Sequence, residues 1–360
     1  MNAPIPIRVQ PGAANYFLHA GALDQIENFF PSATLKQVLW IGGARAQAAA
    51  TPYLPPLYTD ERSIRVTFSG HCSESQVQDL AKRGSQADLV IGLGGGSALD
   101  TAKAVAHRLQ KPFIAIPTIA ATCAAWTPLA VWYDDDERAL GYELFPLASH
   151  LVLVEPRILL AAPPEYLRAG IGDTLAKWYE ARVLCQKELS LPFTARLGLA
   201  TAEQLKDILL ADGPAALQAV SSGTLTEKFL GVVDAIIAGG GLVGGLGERY
   251  TRIAAAHAIH NGLTVLPETA GFLHGAKVAY GILVQLALEE KHDELQRLSE
   301  ALAELGLPTK LAQLNVDFGQ VDKIEALIAH CLRAVESIHL LPGKVDPLRL
   351  RQALHTVEAL

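Results

Sequence analysis

The residues of this sequence that could do chemistry include one aspartate and several histidines in apolar, helix-like segments. Asp173 lies in GIGDTLAKWYEA, where we expect a glycine-loosened turn to lead into a helix and project the carboxylate from its first turn. His257 and His260 are three residues apart, a spacing that puts both on one helical face, and His274 opens the helical segment HGAKVAYGILVQLAL. One carboxylate and two imidazoles suit Zn²⁺ or Fe²⁺, with a fourth position left for water or substrate.

A second chemical feature is the glycine-rich run LVIGLGGGSALDTAKAVAH, which passes from a strand-like into a helix-like segment. Glycines let a backbone approach a pyrophosphate closely, and the free N–H groups at the start of a helix attract its charge. Ser97 and Asp100 also resemble a helix N-cap and a capping box. The run matches neither the spaced Rossmann fingerprint nor a P-loop, so alone it is weak evidence for phosphate binding.

These residues must be positioned by two kinds of element. Short apolar runs separated by helical patterns at 76–83 and 98–109 indicate strands buried on both faces of a parallel sheet. The predicted strands cover residues 37–42, 87–94, 113–118 and 150–155. After the proline pair Pro163-Pro164 nearly every segment is long and helical. We therefore predict an α/β nucleotide-binding domain with a parallel sheet at 1–162 and an all-α metal-binding and substrate domain at 163–360.

Composition narrows the function classes. The chain has 360 residues, of which 50% are hydrophobic and 19% charged, as expected of a globular protein with a large core. A net charge of −7 without a basic run gives no indication of nucleic-acid binding. The most apolar stretch, 229–246, contains Asp234 and six glycines, which disfavours a membrane span. We expect a small-molecule substrate, with no nucleic-acid and no membrane partner.

The arrangement of the cysteines indicates the cellular compartment of the protein. Four of them lie far apart without a CxxC pair, which argues against a disulfide framework and a cysteine zinc site. The N-terminus lacks the basic start and apolar stretch of a signal peptide. We expect a reducing, cytoplasmic location.

Five segments, in order and rough spacing, resemble the iron-containing alcohol dehydrogenase family: GGGSALDTAK, IPTIAATCA, GIGDTLAKWYEA, AAAHAIHNGL and FLHGAKVAYG. The resemblance covers nearly the whole chain and is strongest to the glycerol dehydrogenase branch and, within it, to bacterial hydroxycarboxylate dehydrogenases. It implies a dehydroquinate synthase-like fold and a metal-dependent, NAD(P)-linked dehydrogenase that forms a homo-oligomer.

The resemblance also assigns cofactor residues. It implies that the pyrophosphate is held by Gly94, Gly95, Gly96 and Ser97, and that the adenosine and nicotinamide path is lined by Thr118, Thr122, Thr127, Leu129 and Tyr133. NAD-specific relatives carry an Asp at the end of the first buried strand, where this chain has Gly43, with Arg45 two residues later. Glycine removes repulsion of a 2′-phosphate and arginine can pair with it, so NADP is favoured and NAD permitted. Arg45 could equally be a solvated residue in the following helix.

The resemblance implies that Asp173, His257 and His274 hold one divalent ion. The iron-binding branch has a further histidine one turn after the aspartate, where this chain has Lys177, so three protein ligands and zinc rather than iron are favoured. Such an ion would polarise the substrate oxygen while hydride passes to or from the nicotinamide. His260 is a candidate for orienting a ligand or relaying a proton, and a purely structural hydrogen bond is an equal alternative.

The substrate is indicated by one departure from the family pattern. Glycerol dehydrogenases of this type read PTIASTDAP, where the Asp helps to bind the polyol, whereas this chain has Cys123 there and Trp126 soon after. Without that carboxylate an anionic substrate is no longer repelled. We therefore expect a 2-hydroxy or 2-oxo acid, with Cys123 in its pocket and Arg252 or Arg168 as weak candidates to bind the carboxylate. The alternatives are a glycerol dehydrogenase, a dehydroquinate-synthase-like lyase and a non-catalytic nucleotide-binding descendant.

Overall fold

The chain divides into two compact units. We call Gln10–Pro163 with Ala219–Gly241 the sheet unit, and Pro164–Gln218 with Leu242–Leu360 the helical unit. The computed structural model describes residues 7–134, 139–188 and 190–360. The segment 219–241 thus groups with the sheet although it is helical. The limits 1–162 for the nucleotide-binding domain and 163–360 for the metal-binding and substrate domain stay a prediction.

The described part of the sheet unit contains eight strands. In chain order these are β1 Asn15–Leu18, β2 Val38–Gly42, β3 Ser63–Thr67, β4 Leu89–Gly94, β5 Phe113–Pro117, β6 Leu129–Tyr133, β7 Ala139–Leu144 and β8 Leu151–Val154. Six form a parallel sheet in the order β1-β8-β5-β4-β2-β3, and β6 pairs antiparallel with β7. Every residue of β2, β4, β5 and β8 is buried, as expected for a parallel sheet covered on both faces. The four predicted strands are confirmed.

The order of the strands marks one edge of the sheet. From β2 the chain passes to β3 on one side and then returns to β4 on the other side of β2. Ligands of open α/β sheets bind outside the carboxyl ends of strands at such a reversal. The carboxyl ends of β2 and β4 are Gly42 and Gly94, so both glycine-containing turns singled out in the sequence lie at this point.

Fourteen α-helices are described. They are α1 Gln25–Phe29, α2 Ala44–Ala50, α3 Glu74–Arg83, α4 Gly96–Leu109, α5 Pro156–Leu160, α6 Pro164–Cys185, α7 Phe193–Ser222, α8 Glu227–Asp234, α9 Gly240–Gly247, α10 Ala255–Leu263, α11 His274–Leu288, α12 His292–Glu304, α13 Val321–Cys331 and α14 Pro347–Ala359. The predicted helices at 76–83 and 98–109 are confirmed as α3 and α4. A π-helical turn, Ala235–Gly239, joins α8 to α9.

One helical stretch has the length and composition of a membrane span. It runs over Glu227–Tyr250 with a mean hydropathy of 1.9, and 61% of its apolar window is buried inside the protein. Buried core helices meet the same criterion. The absence of a membrane partner therefore stays a prediction.

Glycines bring α6, α10 and α11 into close contact. A Cβ on Gly172 would lie 2.5 Å from the carbonyl oxygen of Gly275, and one on Gly281 would lie 2.3 Å from that of Ala256. The turn expected before Asp173 is therefore a wrong prediction, because α6 runs unbroken through this region. Here glycine serves close helix packing.

We predict that Gly275→Ala destabilises the protein, because the new Cβ would lie 1.8 Å from the carbonyl oxygen of Ala169. Overpacking of this kind costs about 1–3 kcal/mol, whereas alanine in an unhindered helix would stabilise it by up to about 1 kcal/mol. Thermal unfolding should show a lower midpoint for this variant. Gly271→Ala is the control, since a Cβ there meets nothing within 4 Å. Equal midpoints for the two variants would contradict the packing account.

Candidate metal centre and nucleotide turn

Three potential metal ligands converge from three helices. The Nε2 atoms of His257 and His274 lie 3.5 and 3.3 Å from Oδ1 of Asp173. One ligand atom from each residue falls within 4.8 Å of the others. Two ligands held about 2.1 Å from a tetrahedral ion are about 3.4 Å apart, so this spacing fits a Zn²⁺-sized cation.

Asp173 is buried, and a buried negative charge is unfavourable without a positively charged partner. Oδ1 of Asp173 makes no hydrogen bond to the described residues, although two ring nitrogens face it. Burial raises the pKa of this carboxyl, but the charge of Lys177 and the two imidazoles outweigh burial and hold the pKa well below its usual range. An ionised carboxylate with an unsatisfied oxygen between two imidazoles suits a cation chemically.

His257 is held from behind by a second carboxylate. Its Nδ1 lies 2.7 Å from Oε2 of Glu180, which is fully buried on α6 two turns after Asp173. Burial lowers the pKa of His257, yet the charge of Glu180 and the contact with Asp173 together raise it to about 9. A divalent cation would take the place of that proton.

The same carboxylate also completes the start of α10. Oε1 of Glu180 accepts from the backbone N–H groups of Ala254 and His257, at 2.7 and 3.0 Å. The amide oxygen of Gln285, on α11, accepts from the two N–H groups between them, each at 3.1 Å. All four unpaired N–H groups at this buried helix start are therefore satisfied.

His274 is supported by a chain of side chains. Its Nδ1 lies 2.9 Å from Nε2 of His260, whose Nδ1 lies 3.1 Å from Oδ1 of Asn261. The amide nitrogen of Asn261 donates to Oε2 of Glu336 at 2.8 Å. His260 thus contacts a candidate ligand through a hydrogen bond, at the position that orientation or proton relay requires, and it stays a candidate for both.

The predicted phosphate turn follows β4. Gly94 has φ +155°, which favours glycine, and Gly95 is the N-cap of α4. The capping box predicted for Ser97 and Asp100 is wrong, because no side chain caps this helix. Ser97 lies inside the first turn with Oγ 3.5 Å from Nδ1 of His71, and Asp100 turns inward. Among the described residues, no side chain caps the N–H groups at the start of α4, which leaves them available to a phosphate.

A buried ion pair anchors the loop that carries most of the other cofactor candidates. Nζ of Lys103 lies 3.1 Å from Oδ1 of Asp100 and donates to the carbonyl oxygens of Ala124 and Leu129 at 2.8 and 2.5 Å. Oδ2 of Asp100 accepts from the backbone of Val131. Burial raises the pKa of Asp100 despite the ammonium beside it. This pair fixes the backbone between Thr122 and β6.

The remaining cofactor candidates lie as follows. Thr118 is buried directly after β5 and donates its N–H to the carbonyl oxygen of Gly94. Oγ1 of Thr122 would lie 3.4 Å from a Cβ on Gly96, and Thr127 donates its N–H to the carbonyl oxygen of Cys123. Tyr133 ends β6 with its ring stacked on His71 at 4.5 Å, and burial raises its pKa.

Gly43 and Arg45 lie at the carboxyl end of β2. Gly43 is the N-cap of α2, and Arg45 is exposed in its first turn with no hydrogen bond or ion pair to the described residues. Its guanidinium is thus available to an anion. Trp126 is held in place, since its indole N–H donates to the carbonyl oxygen of Pro11 at 2.6 Å.

Comparison with known proteins decides the family. The sequence model of the iron-containing alcohol dehydrogenases matches residues 13–156. Hydroxycarboxylate dehydrogenase A of Escherichia coli (strain K12) is 56% identical over 355 residues, 98% of each chain. The chain belongs to the iron-containing alcohol dehydrogenase family.

Other family members agree with this assignment. A glycerol dehydrogenase of Thermotoga maritima is 37% identical over 80% of this chain and 79% of its own. The crystal structure of a probable glycerol dehydrogenase from Sinorhizobium meliloti 1021 superposes with a TM-score of 0.87 at 30% identity, covering 98% of both chains. The chain is therefore an oxidoreductase of alcohols or hydroxy acids, and each of these relatives is named as a dehydrogenase.

Sequence reasoning missed several residues of the site. These residues make hydrogen bonds to groups far along the chain or to backbone atoms, and they are Glu180, Gln285 and Lys103. One signal was available, because Asp173 and Glu180 are seven residues apart and so share a helical face. No sequence pattern indicated that His71 lies beside the nucleotide turn.

We predict that Lys103→Met lowers the free energy of unfolding by about 3–5 kcal/mol, because it leaves the buried charge of Asp100 without a partner. Urea unfolding followed by circular dichroism measures the change. The double variant Asp100→Asn with Lys103→Met removes the stranded charge and should recover part of the loss. A single variant as stable as the unchanged protein would show that the pair does not anchor this loop.

Proposed function

We propose that the protein is a metal-dependent, NAD(P)-linked dehydrogenase that interconverts a small 2-hydroxycarboxylate and the corresponding 2-oxo acid. The observation that carries the proposal is the convergence of Asp173, His257 and His274 around one orphaned carboxylate oxygen. The 56% identity to a hydroxycarboxylate dehydrogenase over nearly the whole chain supports the substrate class.

The metal ligands would be these three side chains. Lys177 stands one turn after Asp173, where a fourth protein ligand would otherwise project from the same face of α6. Three protein ligands with one open position are typical of catalytic zinc, so we favour Zn²⁺ over Fe²⁺. When bound, the ion supplies Lewis acidity at the substrate oxygen.

The chain's own residues would do the remaining work. His260, which contacts His274, is our candidate for orienting that ring or for moving a proton away from the site. Glycerol dehydrogenases of the resembled type have an aspartate at the position of Cys123. Without that carboxylate an anionic substrate is not repelled, which favours a hydroxy or oxo acid. Arg252 and Arg168 stay the candidates for binding the substrate carboxylate, and Arg168 also donates to the carbonyl oxygen of Leu305.

Glycerol is the second candidate substrate, because a relative of 37% identity carries the name glycerol dehydrogenase. For the nicotinamide cofactor we favour NADP, with NAD permitted. Gly43 leaves room for the 2′-phosphate, and Arg45, which has no protein partner among the described residues, can pair with it. A homo-oligomer and a cytoplasmic location remain part of the proposal.

The proposal predicts oxidation of a reduced nicotinamide by 2-oxo acids. Purified protein with Zn²⁺ or Fe²⁺ should be followed at the nicotinamide absorbance with NADH and NADPH. The carbonyl panel contains 2-oxo acids, dihydroxyacetone and simple aldehydes. We expect the highest kcat/KM with a 2-oxo acid. A clear preference for dihydroxyacetone would favour the glycerol alternative, and no oxidation with any carbonyl would refute the dehydrogenase.

Variants of the triad provide the control for the metal. Asp173→Ala and His274→Ala should lose activity and bound metal together, because each removes a ligand. His355→Ala, on α14 and outside the cluster, should retain both. An active triad variant without metal would refute the site.

A further inference from the structure

Glu180 contacts the metal triad without belonging to it. It is 0% exposed, and it accepts from two backbone N–H groups through Oε1 while Oε2 faces Nδ1 of His257 at 2.7 Å. The opposite ring nitrogen, Nε2, faces Asp173. One imidazole thus lies directly between two carboxylates with different surroundings.

We propose that Glu180 is a positioning residue that fixes the tautomer of His257, so that Nδ1 carries the proton and the lone pair of Nε2 faces the metal. A neutral imidazole has one N–H, and a nitrogen that ligates a metal must be unprotonated. A carboxylate can only accept, so it holds the ring proton on Nδ1. This inference rests on the metal role of the triad proposed above.

A different set of hydrogen bonds fixes the same tautomer in His274, the second histidine ligand. Asn261 donates its amide N–H to Glu336, which turns its Oδ1 toward Nδ1 of His260. The hydrogen-bond network therefore assigns the proton of His260 to Nδ1 and leaves Nε2 to accept from Nδ1 of His274. Nε2 of His274 is then free for the ion. Two buried carboxylates thus fix the tautomers of both histidine ligands. Glu180 acts directly on His257, and Glu336 acts on His274 through Asn261 and His260.

The isosteric variant Glu180→Gln tests the role. Its amide oxygen can still accept from Ala254 and His257 N–H, so the start of α10 keeps its hydrogen bonds. Its NH₂ group would face Nδ1 and donate to it, which moves the ring proton to Nε2. We expect Zn²⁺ binding to the metal-free protein, measured by calorimetry, to weaken about 10- to 100-fold. The far-ultraviolet circular dichroism of the metal-free variant should match that of the unchanged protein, because α10 keeps these hydrogen bonds.

Glu358→Gln is the matched control. Glu358 accepts from Tyr280 Oη and the backbone N–H of Leu311, in the same unit but without contact to the ligands. Its Zn²⁺ affinity should not change. Equal Zn²⁺ affinity of Glu180→Gln and the unchanged protein would overturn the role of Glu180 and leave the proposed function intact. An unchanged protein that binds no Zn²⁺ would overturn the proposed function, and this role with it.

A second measurement does not depend on the variant folding. In the Zn²⁺-loaded, ¹⁵N-histidine-labelled protein, His257 should show a protonated Nδ1 and a metal-shifted Nε2. Ligation through Nδ1, or an Nδ1 without a proton, would overturn the assignment.

Discussion

Four backbone N–H groups begin α10 inside the protein, where water cannot satisfy them. Glu180 on α6 and Gln285 on α11 accept all four. Leaving such groups unpaired costs about 1–3 kcal/mol each, so these three helices must stay together. The same three helices carry the three candidate metal ligands, and the contact that completes the helix start also holds one ligand ring. Stability and the site are therefore linked through one side chain.

Close packing makes this arrangement compact enough for a single small ion. Gly172 and Gly275, each next to a candidate ligand, let α6 and α11 approach to backbone contact. The approach buries Asp173 and places two imidazoles against one of its oxygens. The chemistry then follows from the environment, because a desolvated carboxylate with one oxygen unpaired among the described residues gains free energy from a cation. In the proposed function, that cation would supply the polarising charge for hydride transfer.

Much of this could be predicted from the sequence where the signal is local. The apolar runs of β2, β4, β5 and β8 predict buried parallel strands, and the family resemblance of five motifs implies the candidate ligand set. The edge strands β1 and β3 are short and partly exposed, which leaves little pattern to detect.

Two of the failures depend on partners distant in sequence, and the third depends on a buried side chain three residues away. Ser97 and Asp100 have the spacing of a capping box, but the buried ammonium of Lys103 draws Asp100 inward. The glycines before Asp173 predict a turn, but close packing against α11 explains them. Glu180 finds its partner 77 residues away, across a helix contact that no local pattern contains.

Anomalous diffraction from a crystal of the Zn²⁺-loaded protein tests the central claim most directly. The account predicts one strong peak at the zinc edge, about 2.0–2.2 Å from Asp173 Oδ1 and from Nε2 of both His257 and His274. A peak coordinated by other side chains, or by Nδ1 of either ring, would contradict it.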